Sequence, residues 1–164
     1  MKNLMFAAAI ACLALFSSCE KEEVQHTGDV SGNLYGVWAL ATKTETYQPS
    51  GSNGKQTTKQ VDYSGVHFYL AMGEFPFPHA LAKEGSFTEF DLDDVDVDGA
   101  YISFNVDNRV IDFKNKLRLS DSLDKYVMTL DGVFDVLELT DKRFVIQKTN
   151  LLGTVITYSF IRYK

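Results

Sequence analysis

The chain has 164 residues, 45% of them hydrophobic and 13% aromatic, with 22 acidic against 16 basic side chains and a net charge of −6. That length suits one domain with a substantial core. The acidic balance argues against a nucleic-acid partner, which needs a basic face, and against broad electrostatic docking on anionic lipid.

The N-terminus reads as a targeting segment. Lys2 leads into an apolar run ending at Phe16, followed by Ser17, Ser18, Cys19 and the charged string Glu20-Lys21-Glu22-Glu23. The run is too short for a permanent membrane span and fits the apolar core of a secretory signal. Leu15-Phe16-Ser17-Ser18-Cys19 resembles the lipobox of bacterial lipoproteins, with Phe16 where that family usually has Leu. The resemblance implies that residues 1–18 are a signal peptide, and that Cys19 is acylated on its sulfur and its new amino group. An ordinary secretory signal that happens to contain a cysteine is the alternative. Cys12 lies inside the apolar run, too early to leave a full signal core. After cleavage 146 residues remain, with 15 basic and 22 acidic side chains and a net charge of −7. Cys19 is then the sole cysteine, so no intramolecular disulfide forms and stability rests on the core. Acyl chains would supply the membrane affinity, about 0.8 kcal/mol per buried methylene, and two or more anchor stably.

Residues 19–33 read as the lipidated cysteine and a flexible acidic tether, because Val24 and Val30 are its only aliphatic side chains. Lys21-Glu22-Glu23 is similar to the export signal of surface-displayed lipoproteins in some Gram-negative bacteria. The expected location is therefore the outer membrane, with the surface-exposed side favoured over the inward-facing one.

Residues 34–164 are expected to form an all-β domain. Leu34, Gly36, Trp38 and Leu40 alternate with Tyr35, Val37, Ala39 and Ala41. A second strand carries Val61 and Tyr63, then Val66, Phe68 and Leu70, and Ser64-Gly65 shifts its alternation as a bulge would. The stretch Gln48–Gln60, rich in Ser, Gly, Thr, Gln and Lys, suits a long exposed loop. Residues 72–84 contain Pro76 and Pro78 and read as a loop, with one helical turn over His79–Lys83. Ile102, Phe104 and Val106 form the next strand, which turns at Asp107-Asn108 into Ile111, Phe113, Leu117 and Leu119. Tyr126, Met128 and Leu130 follow, and Asp131-Gly132 predicts a hairpin turn. Val133–Leu139, a turn at Thr140-Asp141-Lys142, Phe144 with Ile146, and Ile156, Tyr158 and Phe160 complete an antiparallel meander.

A meander of this many strands removes its edges by closing into a barrel. Gly36-Val37-Trp38 matches the Gly-x-Trp opening of lipocalins. Tyr158-Ser159-Phe160-Ile161-Arg162-Tyr163 resembles the aromatic-then-basic last strand of lipocalin-like domains on bacterial lipoproteins. Val136–Thr140 with Phe144-Val145-Ile146 is similar to the hairpin before that strand. The resemblance implies an up-and-down antiparallel β-barrel. Gly36 would let the chain bend on entry, and Trp38 would plug the closed end. Arg162, or Arg143 as second candidate, would lie over the indole.

The candidate chemical sites are few. Asp94, Asp96 and Asp98 before Gly99 match the first half of a calcium loop, but Asn105 stands where a bidentate Glu is needed. The same alternation fits an exposed edge strand whose charges block pairing. His26, His67 and His79 have no metal-ligand spacing, and His67 is expected to face solvent. No nucleophile elbow or phosphate-binding glycine loop is present, so neither an enzyme nor a cofactor is expected. Phe75, Phe77 and Leu81, beside prolines that restrict the backbone, are the candidate contacts to a ligand or partner, or else fold inward and cap the barrel. The expected function is a membrane-anchored lipoprotein binding a small apolar or amphipathic ligand in its barrel. The alternative is an accessory envelope protein that binds another protein through its loops.

Overall fold

The computed structural model describes residues 28–74, 77–84 and 99–163. Among the described residues nine strands are formed: β1 (Gly36–Tyr47), β2 (Thr57–Asp62), β3 (Phe68–Gly73), β4 (His79–Glu84), β5 (Ala100–Asn105), β6 (Val110–Ser120), β7 (Val127–Leu139), β8 (Arg143–Thr149) and β9 (Val155–Arg162). All pairings between them are antiparallel. β2 and β3 occupy one strand position, because both pair with the same edge of β1, at Thr42–Tyr47 and Gly36–Ala39 respectively. β1 also pairs with β9, which closes the sheet. The result is a closed eight-stranded antiparallel barrel with up-and-down connectivity, in which no strand position is left at an end of the sheet.

The break between β2 and β3 lies where the alternation shifts. Tyr63 N–H donates to the Ala41 carbonyl (2.8 Å) and Val66 N–H to the Tyr63 carbonyl (2.9 Å). Ser64 N–H donates to the Asp62 carboxylate (2.9 Å), which holds that carboxyl below its ordinary range. The loop turns Tyr63 into the core, 2% exposed, while His67 stays exposed as its position predicts. Gly36 enters the barrel at φ 132°, a conformation that side-chain-bearing residues rarely adopt.

Three expectations are corrected. His79–Glu84 is a strand, not a helical turn, and Met72 belongs to β3. Pro78 sits just before β4, where its missing N–H costs the ladder nothing, and Met72↔Ala80 and Leu70↔Ala82 then pair along the barrel wall. Asp131-Gly132 does not reverse the chain, because β7 runs straight through it. Gly132 (φ 72°) pairs with Phe113 at a register shift in β6, so the dipeptide bends the strand. The exposed loop after β1 is shorter than Gln48–Gln60, since Thr57 already pairs with Tyr47.

Most of the expected tether lies outside the described residues, but its last part is docked. Gly28 N–H donates to the Leu137 carbonyl (3.1 Å), Leu139 N–H to the Asp29 carbonyl (2.7 Å), and Val30 bridges Leu139 in parallel. The docking depends on missing side chains. A Cβ on Gly28 would come within 2.6 Å of Glu138 Cβ, and one on Gly32 within 2.4 Å of the Thr140 backbone.

Candidate functional site

The two ends of the barrel differ, beginning with the end where β1 starts. Trp38 is fully buried, and its indole N–H donates to the Leu34 carbonyl (2.8 Å). Trp38 and Arg162 are register partners across β1 and β9. The Arg162 guanidinium carbon lies 3.9 Å from the indole centroid, the contact expected for this residue. The same guanidinium donates to the Tyr35 carbonyl (2.8 Å) and to the Asn33 carbonyl, stitching the N-terminal segment across the end. Phe144 packs against Trp38 with its ring tilted by 45° and centroids 5.5 Å apart. This end is plugged. Arg143, the second candidate for the indole, instead pairs with Glu138 (3.5 Å).

The interior above the plug is occupied by rings. Phe160 stacks on Phe144 at 5.6 Å, Tyr158, Phe134 and Phe113 continue from it ring against ring, and Phe68, Tyr63 and Tyr126 form a second series. The far end is shaped by β7. It pairs with β8 only from Asp135 onward, so among the described residues Val127–Val133 has no strand on that side. Side chains take the place of the missing strand. Tyr63 hydroxyl donates to the Val127 carbonyl (2.9 Å) and accepts from Val127 N–H (3.0 Å). Tyr158 hydroxyl makes the same pair of bonds to Thr129, at 3.2 and 3.1 Å. Lys43 Nζ reaches the Val127 carbonyl at 3.4 Å, and Lys148 Nζ donates to the Asp131 carbonyl. Tyr63 stands on the strand position diametrically opposite β7 in the ring of eight, so this half of β7 leans across the barrel mouth. Burial pushes the Tyr158 phenol up to about 12, against the bond from Thr129, and burial also raises Tyr63.

Beneath that edge lies a cleft of about 270 Å³ lined by Lys43, Thr129, Asp131, Phe134, Lys148, Asn150, Ile156 and Tyr158. Its floor is apolar, from Phe134 and Ile156. Its rim holds two ammonium groups. Lys43 is paired with Glu45 at 2.7 Å, whereas Lys148 lies over the Phe134 ring and takes part in no ion pair among the described residues. A wider recess of about 660 Å³ lies between the β1–β2 and β8–β9 turns, lined largely by polar residues including Thr46, Gln48 and Gln56. Sequence reasoning missed the cleft. Its residues come from four strands and a turn, and no local motif announces them.

The expected contact residues separate. Phe77 is 36% exposed and packs on Tyr101, 52% exposed, with centroids 4.7 Å apart. Leu81 is half-buried in β4 beside Gly99, and Phe75 lies outside the described residues. Neither Phe77 nor Leu81 lines the cleft. His79, 1% exposed, donates from Nδ1 to the Phe77 carbonyl (2.7 Å), and its Nε2 has no hydrogen-bond partner among the described residues. Cys19 and the Asp94, Asp96 and Asp98 run also lie outside the described residues. Among the described residues no group of three or more His, Cys, Asp or Glu is placed to hold a metal, and no helix is long and apolar enough to cross a membrane.

These features define a closed antiparallel β-barrel plugged at one end, an architecture compatible with a lipocalin-like fold. No protein-family model matches the chain, and neither the curated proteins nor the solved structures contain a match to it.

Proposed function

We propose that the chain is a non-catalytic lipoprotein of a Gram-negative outer membrane, anchored through Cys19, whose barrel holds a small amphipathic ligand at its mouth. The cleft under β7 carries this reading: Lys148 stands over an apolar floor, and among the described residues its ammonium bonds a neutral carbonyl and no carboxylate. A carboxylate or phosphate head would meet Lys148, Asn150 and Thr129, while an apolar body lies on Phe134 and Ile156. The volume sits at the small end of ligand sites, so the ligand is short or enters by one end only. The aromatic filling of the axis argues against engulfment deep in the lumen. The anchor rests on the segment ending Ser17-Ser18-Cys19. Native mass spectrometry of the protein purified from its own host tests the reading. A co-purifying small anion that is lost in Lys148→Ala supports it, and a ligand-free mass for the parent protein contradicts it.

A second reading, an accessory protein that binds an envelope partner, is favoured by one observation. The Phe77–Tyr101 pair is an exposed aromatic step on the outer wall, away from the cleft. Under that reading, Phe77→Ser lowers partner affinity and leaves ligand retention unchanged.

A further inference from the structure

Leu151 and Leu152, at the tip of the β8–β9 turn, are 105% and 90% exposed, and Leu123 in the β6–β7 turn is 83% exposed. All three lie at the mouth end of the barrel. A tip leucine with no neighbours contributes nothing to the core, so its apolar surface is available for something outside the chain. The turn that carries the pair is held by four internal hydrogen bonds. Asn150 Oδ1 accepts from Leu152 N–H (2.9 Å) and Thr154 N–H (3.0 Å). Asn150 N–H donates to the Thr154 carbonyl, and Gly153 N–H, at φ 76°, to the Asn150 carbonyl. The β6–β7 turn is built alike, with Asp121 accepting from Tyr126 N–H and its carbonyl from Asp124 N–H. Each of these internal bonds lowers the cost of moving the turn's backbone out of water, which favours contact of the tips with an apolar phase.

The occupant is indicated by where the described chain begins. Residues 28–30 run parallel to β7, so Gly28 faces back toward the end where β7 starts, which is the mouth end. Eight residues separate Gly28 from Cys19, a span of at most about 30 Å. From Leu137 up to Val127 a tilted strand climbs about 25 Å along the barrel axis. An acyl group on Cys19 can therefore reach the plane of the leucine tips.

We propose that the Leu151–Leu152 tip, with Leu123, dips into the lipid surface that holds the acyl chains, so that the barrel stands mouth-down on its own membrane. The proposal rests on the lipid-anchor reading above. With a mature net charge of −7, the contact is apolar and does not depend on anionic lipid. It also places the cleft next to the bilayer, within reach of amphipathic molecules leaving it.

The test uses the membrane-extracted protein reconstituted in phosphatidylethanolamine and phosphatidylglycerol vesicles. Acylation blocks the sulfur of Cys19, so Leu151→Cys supplies a single thiol for an environment-sensitive fluorophore. Lys142→Cys, at the plugged end, is the control. The expected result is a blue-shifted emission at position 151 that bromine-labelled lipid quenches, unchanged by salt, and neither effect at 142. No shift at 151, or a shift that lipid does not quench, overturns the proposal; the second outcome means that protein, a partner or another copy, covers the tip. Intact mass of the same sample separates the failures. An unmodified Cys19 removes the anchor reading and this proposal together, whereas an acylated Cys19 with a silent position 151 removes this proposal alone.

Discussion

Two tyrosine hydroxyls hold the mouth of the barrel. Tyr158 is 2% exposed, and its phenol bonds both backbone groups of Thr129. With its pKa raised from 10 to about 12, the native state keeps a proton that the unfolded chain releases first. Its contribution is fully present below about pH 10 and is lost as pH rises through 12, on the order of 2–3 kcal/mol. Alkaline denaturation monitored by circular dichroism should show this loss in the parent and a shallower one in Tyr158→Phe. At neutral pH that variant should be about 1–2 kcal/mol less stable, because two buried backbone groups lose their partner. At the other end, Trp38→Ala should cost about 3–5 kcal/mol in urea unfolding. A cost below about 1 kcal/mol would mean that the indole is not the plug. The Trp38–Arg162 pair was legible from the residues, since a Gly-x-Trp start and a basic last strand carry it. The roles of Tyr63 and Tyr158 were not, because their partners lie 64 and 29 residues away and meet them only once the barrel has closed.

Elements were readable where side-chain alternation alone decides them and unreadable where the backbone does. β1, β5, β6, β8 and β9 follow the in–out pattern, with Trp38, Ile102, Phe113, Phe144 and Phe160 inward. β4 was hidden because two prolines suggested a loop, although the strand starts after Pro78. β3 is buried on both faces, with Tyr69 and Ala71 packed beside Val37 on the outer one, so alternation marked only its start at Phe68 and Leu70. Asp131-Gly132 has the composition of a hairpin turn, but continued pairing with β6 outweighs it and leaves only a bend. The segment Gly28–Asn33 reads as tether from its composition. Its attachment to β7 is made by backbone bonds that composition does not reveal. Gly32→Ala should free it, since the Thr140 backbone cannot yield to a new Cβ. Hydrogen exchange should then show faster exchange at Ser31 and Leu139, with protection in β8 and β9 retained. Unchanged rates at both amides would show that the segment contributes no pairing.

At the scale of the whole molecule, closure of the sheet decides what the protein can bind. Eight strand positions around a small axis leave room for side chains, and here aromatic rings take it. The barrel was legible as a meander with regular turns. The cleft was not, because it arises from one strand outrunning its neighbour: β7 begins at Val127 and finds β8 only at Asp135. Under the proposed function, binding is thereby moved from the lumen to the mouth, under a strand edge held by Tyr63, Tyr158 and two lysines. The most direct measurement of that claim is a titration of the ¹⁵N-labelled chain from Glu20 onward with dodecanoate, followed by amide chemical shifts. Saturable shifts at Thr129, Lys148 and Ile156, with the Phe77–Tyr101 wall silent and the response lost in Lys148→Ala, are the predicted result. Shifts that never saturate, or that map to the Phe77–Tyr101 wall instead, would contradict it.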